Sequence, residues 1–164
     1  MVAITYWFAP RYPFPAQIED VRSALEFIRQ NAAKYEIDGN RMAIMGRSAG
    51  AHLAMLAAYS ANAPSFRAVV NYYDPADLTK GCFDPPNPDP IDSMKTLKAF
   101  LGGTPDELPT LYQAASPIHF VRSNLPPTLL IYGGRDHIVQ AKFGQFLSEQ
   151  LQASGNRTTF LEIP

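Results

Sequence analysis

The sequence has one cysteine, Cys82, one tryptophan and three histidines in 164 residues. A single thiol excludes an internal disulfide and any cysteine-based zinc cluster. Charge is scarce as well: 14 Lys plus Arg stand against 15 Asp plus Glu, a net charge of -1. That balance supplies neither the basic field that a phosphate backbone requires nor the charge excess of a disordered tail, so no nucleic-acid partner is expected. No apolar run approaches the ~18 residues of a membrane span, and no Lys or Arg precedes the first hydrophobic stretch, so neither a membrane span nor a signal peptide is visible. The compartment is left open, a cytoplasmic one being favoured. No His and acidic cluster has ligand spacing and no Gly-x-Gly-x-x-Gly follows a strand, so no metal, nucleotide or flavin cofactor is expected.

What is present is apolar, 46% of residues, enough for one core and one domain over residues 1–164. Hydrophobic periodicity alternates strands with helices. Strands are expected at residues 2–8, 42–45, 67–73, 128–132 and 158–163. A first helix opens near Pro15 and carries Ile18, Val21, Leu25, Ile28 and Ala32 on one stripe; a second runs from the Gly46–Gly50 segment to about Tyr59. A later one has Phe143, Phe146, Leu147 and Leu151 as its core stripe. This alternation predicts an α/β fold, a mostly parallel sheet covered by helices on both faces. Between residues 74 and 125 the pattern weakens, and the segment reads as an insertion over the carboxyl end of the sheet. It holds an exposed proline-rich loop at residues 84–90, a short helix at 93–101 and another opening at Thr104-Pro105-Asp106-Glu107, which has capping-box residues.

The sharpest chemical signal is Gly46-Arg47-Ser48-Ala49-Gly50, between a predicted strand and a predicted helix. Such a pentapeptide arises by chance in roughly one of 20 chains of this size, so its context matters more than its letters. Flanking glycines permit a sharp turn that presents Ser48 at a strand's carboxyl end, with the Ala49 amide facing a developing oxyanion. A serine nucleophile needs a base and a carboxylate to orient that base. Asp136, in Gly133-Gly134-Arg135-Asp136 just after a strand, is the carboxylate candidate, the plainer reading being a turn aspartate. None of the histidines is well placed. His52 lies one helical turn beyond Ser48 and reads as a packed helix histidine, His119 as a polar loop residue, and His137 is too close in sequence to Asp136 to be oriented by it. Arg47, Tyr73, Asp74, Ile138 and Val139 are candidates to line a substrate pocket, although packing or solvent exposure explains each as simply.

The chain resembles the central and C-terminal part of an α/β-hydrolase, close to the hormone-sensitive-lipase-like and feruloyl-esterase-like carboxylesterases. Ala3-Ile4-Thr5-Tyr6 with Ala9-Pro10 and Phe14-Pro15-Ala16 resembles the family's fourth strand and the entry to its next helix, with Trp7 where an arginine is usual. Ile37-Asp38-Gly39-Asn40-Arg41 leads into a segment similar to the nucleophile strand, elbow and helix, and Pro126-Pro127-Thr128 through Asp136 resembles the acid strand. The order Ser before Asp fits the Ser, Asp, His order of that fold.

The resemblance implies an ester hydrolase acting on small molecules, expected to be short, water-soluble acyl esters, with Ser48 as nucleophile, Asp136 orienting a histidine and Ala49 in the oxyanion hole. It also implies that the histidine follows the last strand and lies beyond Pro164, and that a His-Gly-Gly oxyanion loop precedes residue 2, so that the chain is a partial domain. Peptidases and formamide hydrolases of the same fold, and a non-catalytic binding module, are the alternatives. In the family's sheet another strand separates the fourth strand from the elbow strand. Residues 2–8 and 42–45 are therefore expected to flank a gap, filled by a complementing polypeptide, by a second copy in a homo-oligomer, or by the rest of a larger protein.

Overall fold

A computed structural model describes residues 1–63 and 65–164. Four strands, β1 (Met42–Arg47), β2 (Phe66–Tyr72), β3 (Thr128–Gly133) and β4 (Thr158–Ile163), form one parallel sheet in chain order. β1 runs two residues past the expected end at Met45, and β2 begins and ends one residue early. Helix α1 (Ala16–Gln30) precedes the sheet, α2 (Ala49–Tyr59) joins β1 to β2, and α6 (Ala141–Ala153) joins β3 to β4. Between β2 and β3 lie α3 (Leu78–Phe83), α4 (Ser93–Leu101), α5 (Pro109–Ala115) and one turn of 3-10 helix, Pro117–Phe120.

Because spatial order equals chain order, every crossover steps in the same direction, and right-handed crossovers taken one way put their helices on one face. α2 and α6 accordingly share the face that carries Ile44, Val69, Leu130, Tyr132 and Phe160, where Met55, Leu147 and Leu151 complete the core. α1 packs behind α2 through Ile18 and Val21 against Leu53, Leu56 and Ala57. The α/β-hydrolase-type parallel sheet is thus present with one covering helical layer among the described residues. On the opposite face Val70, Leu129 and Ile131 are half-buried, and Met45 is 59% exposed.

Three local expectations fail, each for a stated reason. Residues 2–8 form no strand: a continuous apolar run reports burial-type residues, but a strand needs a ladder partner, and this segment joins none of the four. Trp7 N–H instead donates to Asp20 Oδ2 at 2.8 Å, Tyr6 packs on the α1–α2 cluster, and Phe8 is 70% exposed. The segment therefore does not flank a gap beside β1, whose outer edge has no strand partner among the described residues. The capping box at Thr104 and Glu107 does close, with Thr104 N–H donating to Glu107 Oε2 at 2.8 Å, yet it caps only a turn. Proline at 109 disfavours helical backbone at Leu108, so α5 starts afresh there. Phe146 lies off the buried stripe of α6, which passes through Gly144, Leu147, Ser148 and Leu151; its ring sits under Lys80 Nζ, 3.7 Å from the centroid.

Gly144 lets α6 approach the sheet. A Cβ there would overlap the Tyr132 ring, lying 2.6 Å from its Cδ2, and that ring is fully buried and tethered through its hydroxyl. Gly144→Ala is therefore expected to destabilise by ~1–3 kcal/mol despite alanine's better helix propensity, lowering Tm by roughly 3–10 °C in a calorimetric scan. An unchanged or raised Tm would show that the contact relaxes freely.

Candidate active site

β1 passes into α2 through a single residue. Ser48 has φ 50 and ψ -123, a conformation that side-chain-bearing residues rarely adopt. Its N–H donates to Tyr72 O at 2.9 Å and its carbonyl accepts from His52 N–H at 3.0 Å, which pins the turn to β2 and α2. Serine at this position normally caps a helix with its hydroxyl, but here no side-chain cap forms. The Ser48 hydroxyl is left for other chemistry, and the Ala49 N–H donates to no backbone acceptor among the described residues. Gly46 makes the geometry possible, since a Cβ on it would lie 2.5 Å from Ala51 N; Gly50 has nothing within 4 Å and is not sterically required.

Ser48 and Ala49 border a cavity of about 490 Å³ whose walls include Trp7, Phe8, Phe100 and Phe143. Ile138 and Val139 line it as well, as expected for pocket residues. Arg47 and Tyr73 do not: Arg47 is exposed, and Tyr73, at φ 43, packs against the core. The aromatic wall from residues 6–8 and the face of α4 went unread in the sequence, the former taken for a strand, although Leu97 and Phe100 at i, i+3 spacing were a visible signal.

Asp136 lies in the turn after β3, two strands from Ser48. Its N–H donates to Gly133 O at 3.1 Å, and its Oδ1 accepts from Ile138 N at 2.7 Å and Val139 N at 2.9 Å. The turn-aspartate geometry is real and uses one carboxylate oxygen; the other takes no hydrogen bond from the described residues. No histidine reaches either group. His52 is 3% exposed, donates from Nε2 to Ala115 O at 2.6 Å and meets the Phe100 ring edge-on. Burial lowers its pKa to about 4, only partly offset by that carbonyl, so it stays neutral as a packed helix histidine. His119 and His137 are exposed.

Sequence reasoning placed Asp74 among the pocket candidates, but it is part of a buried polar knot behind the site. Tyr132 O–H donates to Asp74 Oδ1 at 2.6 Å, Asn71 Nδ2 donates to the same oxygen, and Asp74 N–H donates to Asn71 Oδ1 at 3.0 Å. All three residues are fully buried, and Asp74 Oδ2 has no partner among the described residues. Desolvation outweighs these donors and raises the carboxyl pKa to about 6.

Comparison with known proteins gives the chain's relatives. The BD-FAE family model matches residues 1–151. Esterase LipQ of Mycobacterium tuberculosis is 35% identical, over 99% of this chain and 41% of that protein; Esterase LipC of the same organism is 32% identical, over 99% and 43%. Among solved structures, a truncated carbohydrate esterase from gut microbiota superimposes with a TM-score of 0.84 at 26% identity, covering 99% of this chain and 64% of that one. An esterase of Pyrobaculum calidifontis gives 0.80 at 26%, covering 96% and 54%. The chain spans about two-fifths of the length of the curated relatives it matches.

His52 and Asp74, both buried, oppose one another. Below pH 6.5 the unfolded chain protonates His52, which the fold keeps neutral down to about pH 4, so stability is lost as pH falls through that window. Asp74 behaves inversely: the fold holds its proton up to about pH 6 whereas the unfolded chain releases it near 3.8, so stability is lost as pH rises between them. Each effect is on the order of 3 kcal/mol at full extent. Relative to wild type, Asp74→Asn is expected to make the urea midpoint rise more steeply with pH between about 4 and 6, and His52→Gln to make it fall. Parallel pH profiles for all three proteins would refute the opposition.

Proposed function

The chain belongs to the BD-FAE family, carboxylesterase-like hydrolases of the α/β-hydrolase fold, and on that premise we propose that it carries the nucleophile and acid of a serine hydrolase cleaving carboxylic esters. The observation that carries this reading is Ser48, held at φ 50 with its hydroxyl unused by the helix it precedes, bordering an apolar chamber. Ser48 Oγ attacks the ester carbonyl carbon while an imidazole removes the hydroxyl proton. The Ala49 N–H, at the positive end of α2, stabilises the resulting oxyanion. Collapse expels the alcohol, which receives the proton from the imidazolium, and water then releases the acid by the reverse sequence. Asp136 orients that imidazole through the carboxylate oxygen its turn leaves free.

The base is none of His52, His119 and His137. In this reading it comes from polypeptide additional to residues 1–164, in the same chain or in a partner, with residues 74–125 forming the cover over the site. The lack of an imidazole hydrogen-bonded to Ser48 among the described residues favours one other reading, a non-catalytic binding module. In the protein containing this chain, Ser48→Ala is expected to abolish hydrolysis of p-nitrophenyl esters and Asp136→Asn to cut kcat by roughly 10²- to 10⁴-fold. Undiminished turnover by Ser48→Ala would remove the nucleophile assignment, and absence of turnover in the wild type would favour the binding module. The 164 residues by themselves are expected to label slowly, if at all, with a fluorophosphonate. Rapid stoichiometric labelling of Ser48 would mean that one of the three histidines serves as base.

A further inference from the structure

Residues 71–74 join three elements at the carboxyl end of the sheet. Tyr72 O accepts the Ser48 N–H at 2.9 Å, and Tyr73 N–H donates to Ile131 O on β3, also at 2.9 Å. The chain then turns through Tyr73 at φ 43, a left-handed conformation that a bulky residue holds only where its surroundings impose it. Here the surroundings are polar side chains. Asp74 N–H donates to Asn71 Oδ1 at 3.0 Å across the turn, while the Asn71 amide gives its hydrogens to Asp74 Oδ1 and to Met55 Sδ of α2. Pro75, Ala76 and Asp77 follow at once and line the chamber that Ser48 borders.

The Tyr132 hydroxyl faces two acceptors on one residue, Asp74 Oδ1 at 2.6 Å and Asp74 O at 3.0 Å, and has one hydrogen to give. Beside a carboxylate that hydrogen goes to Oδ1, where the bond is charge-assisted. When the carboxyl takes up a proton from solvent, Oδ2 offers it no acceptor among the described residues. On Oδ1 the proton can donate to the phenol oxygen, and the phenol hydrogen turns to Asp74 O. Protonation thus exchanges donor and acceptor between β3 and the residue that follows Tyr73, two discrete arrangements of one buried contact. Burial places the exchange at about pH 6. The titratable groups facing Asp74 are phenols, Tyr132 from β3 and Tyr59 from α2, both pushed upward by burial and so uncharged through this range. His52 of α2 is turned to Ala115 O, His119 of the 3-10 turn is exposed, and Lys142 of α6 is paired with Asp84.

We propose that Asp74 and Tyr132 are positioning residues for ester hydrolysis: through the hydrogen they share, the charge state of Asp74 sets how the Ser48 elbow and the Asp136 turn stand to one another, the carboxylate form being the productive one. This rests on the esterase reading. A buried carboxylate with one bare oxygen costs stability, and asparagine would carry no charge there. What the carboxylate adds is a charge-assisted bond from Tyr132, stronger than any an amide accepts, between the ends of the strands that lead to the two turns. Stability and positioning therefore run oppositely with pH.

In the protein containing this chain, the ratio of wild-type to Asp74→Asn kcat for p-nitrophenyl acetate is expected to be about one at pH 5 and to rise severalfold by pH 8, with KM unchanged. Ionisation of Asp74 destabilises the wild type, so a merely structural role would leave that ratio flat or make it fall. Tyr132→Phe removes the shared hydrogen and keeps the ring against Gly144; it should lower kcat severalfold and leave Asp74→Asn little further effect on kcat. Nuclear magnetic resonance reads the same coupling without turnover. In a His137→Gln background, where no imidazole neighbours the turn, the Ser48 and Asp136 amide shifts should step at the midpoint of the Asp74 Cγ signal. A kcat ratio flat or falling with pH, or amide shifts indifferent to Asp74, overturns the proposal. Amide shifts that follow Asp74 in a protein that hydrolyses no ester would sink the esterase reading alone.

Discussion

The close approach between the end of β1 and the start of α2 is the constraint on which the site depends. The backbone at Gly46 runs so near Gly50 and Ala51 that no side chain fits between them. A strand and a helix this close can be joined by one residue only if that residue takes a strained conformation, and Ser48 does, at a typical cost of ~1–3 kcal/mol. α2 offsets that strain. From Ala51 to Tyr59 every residue is buried, so the helix cannot back away from the sheet without exposing apolar surface on all sides. The small residues of α2 and the glycine of β1 are thus one device, and its output is a serine hydroxyl presented beside unpaired helix N–H groups.

A second tether fixes the neighbouring strand ends. Tyr132 reaches from β3 to Asp74 just past β2, and Asn71 closes the knot from β2 itself. Since Gly133 follows Tyr132 directly and its carbonyl accepts from Asp136 N–H, holding that ring helps hold the turn in which the carboxylate sits. An unpartnered carboxyl oxygen in the interior is costly, and the fold tolerates it by retaining a proton on the acid up to about pH 6. The Asn71 side chain also reaches Met55 Sδ at 2.7 Å, linking this knot to α2 and hence to the Ser48 elbow. The Ser48 elbow and the Asp136 turn therefore rest on one connected set of buried groups.

How much of this was legible in the sequence follows from which interactions are local. The elbow was legible because glycine, serine and a strand-to-helix change of period coincide within five residues at Gly46–Gly50. β3 and its Asp136 turn were legible because an uncharged run ends in two glycines. α4 matched its expected bounds because Asp92 caps its start and Gly102 its end. What failed depended on partners distant in sequence. Residues 2–8 have strand-like composition but no neighbour to pair with, and Phe146 satisfies helical spacing loosely while Gly144, chosen for contact with Tyr132, marks the true buried face. The Asn71–Asp74–Tyr132 knot is illegible by the same logic: two of its members lie three residues apart, and the third is 58 residues away.

One-way strand order has a final consequence. It places α2 and α6 on one face and leaves the other, with Met45, Leu161 and Ile163 each more than 40% exposed, without a helical layer among the described residues. Strands apolar on both faces are written for burial on both, and β1 additionally presents an unpaired edge; such surfaces are ordinarily covered, because an open apolar edge recruits other strands. Yet neither the elbow nor the Asp136 turn draws any hydrogen bond from that face. Polypeptide packed there would complete the sheet and add to stability while leaving the carboxyl-end geometry as it stands. The Ser48 elbow and the Asp136 turn are thus held by contacts on the covered face, and the esterase reading proposed above asks of any added polypeptide only an imidazole between them.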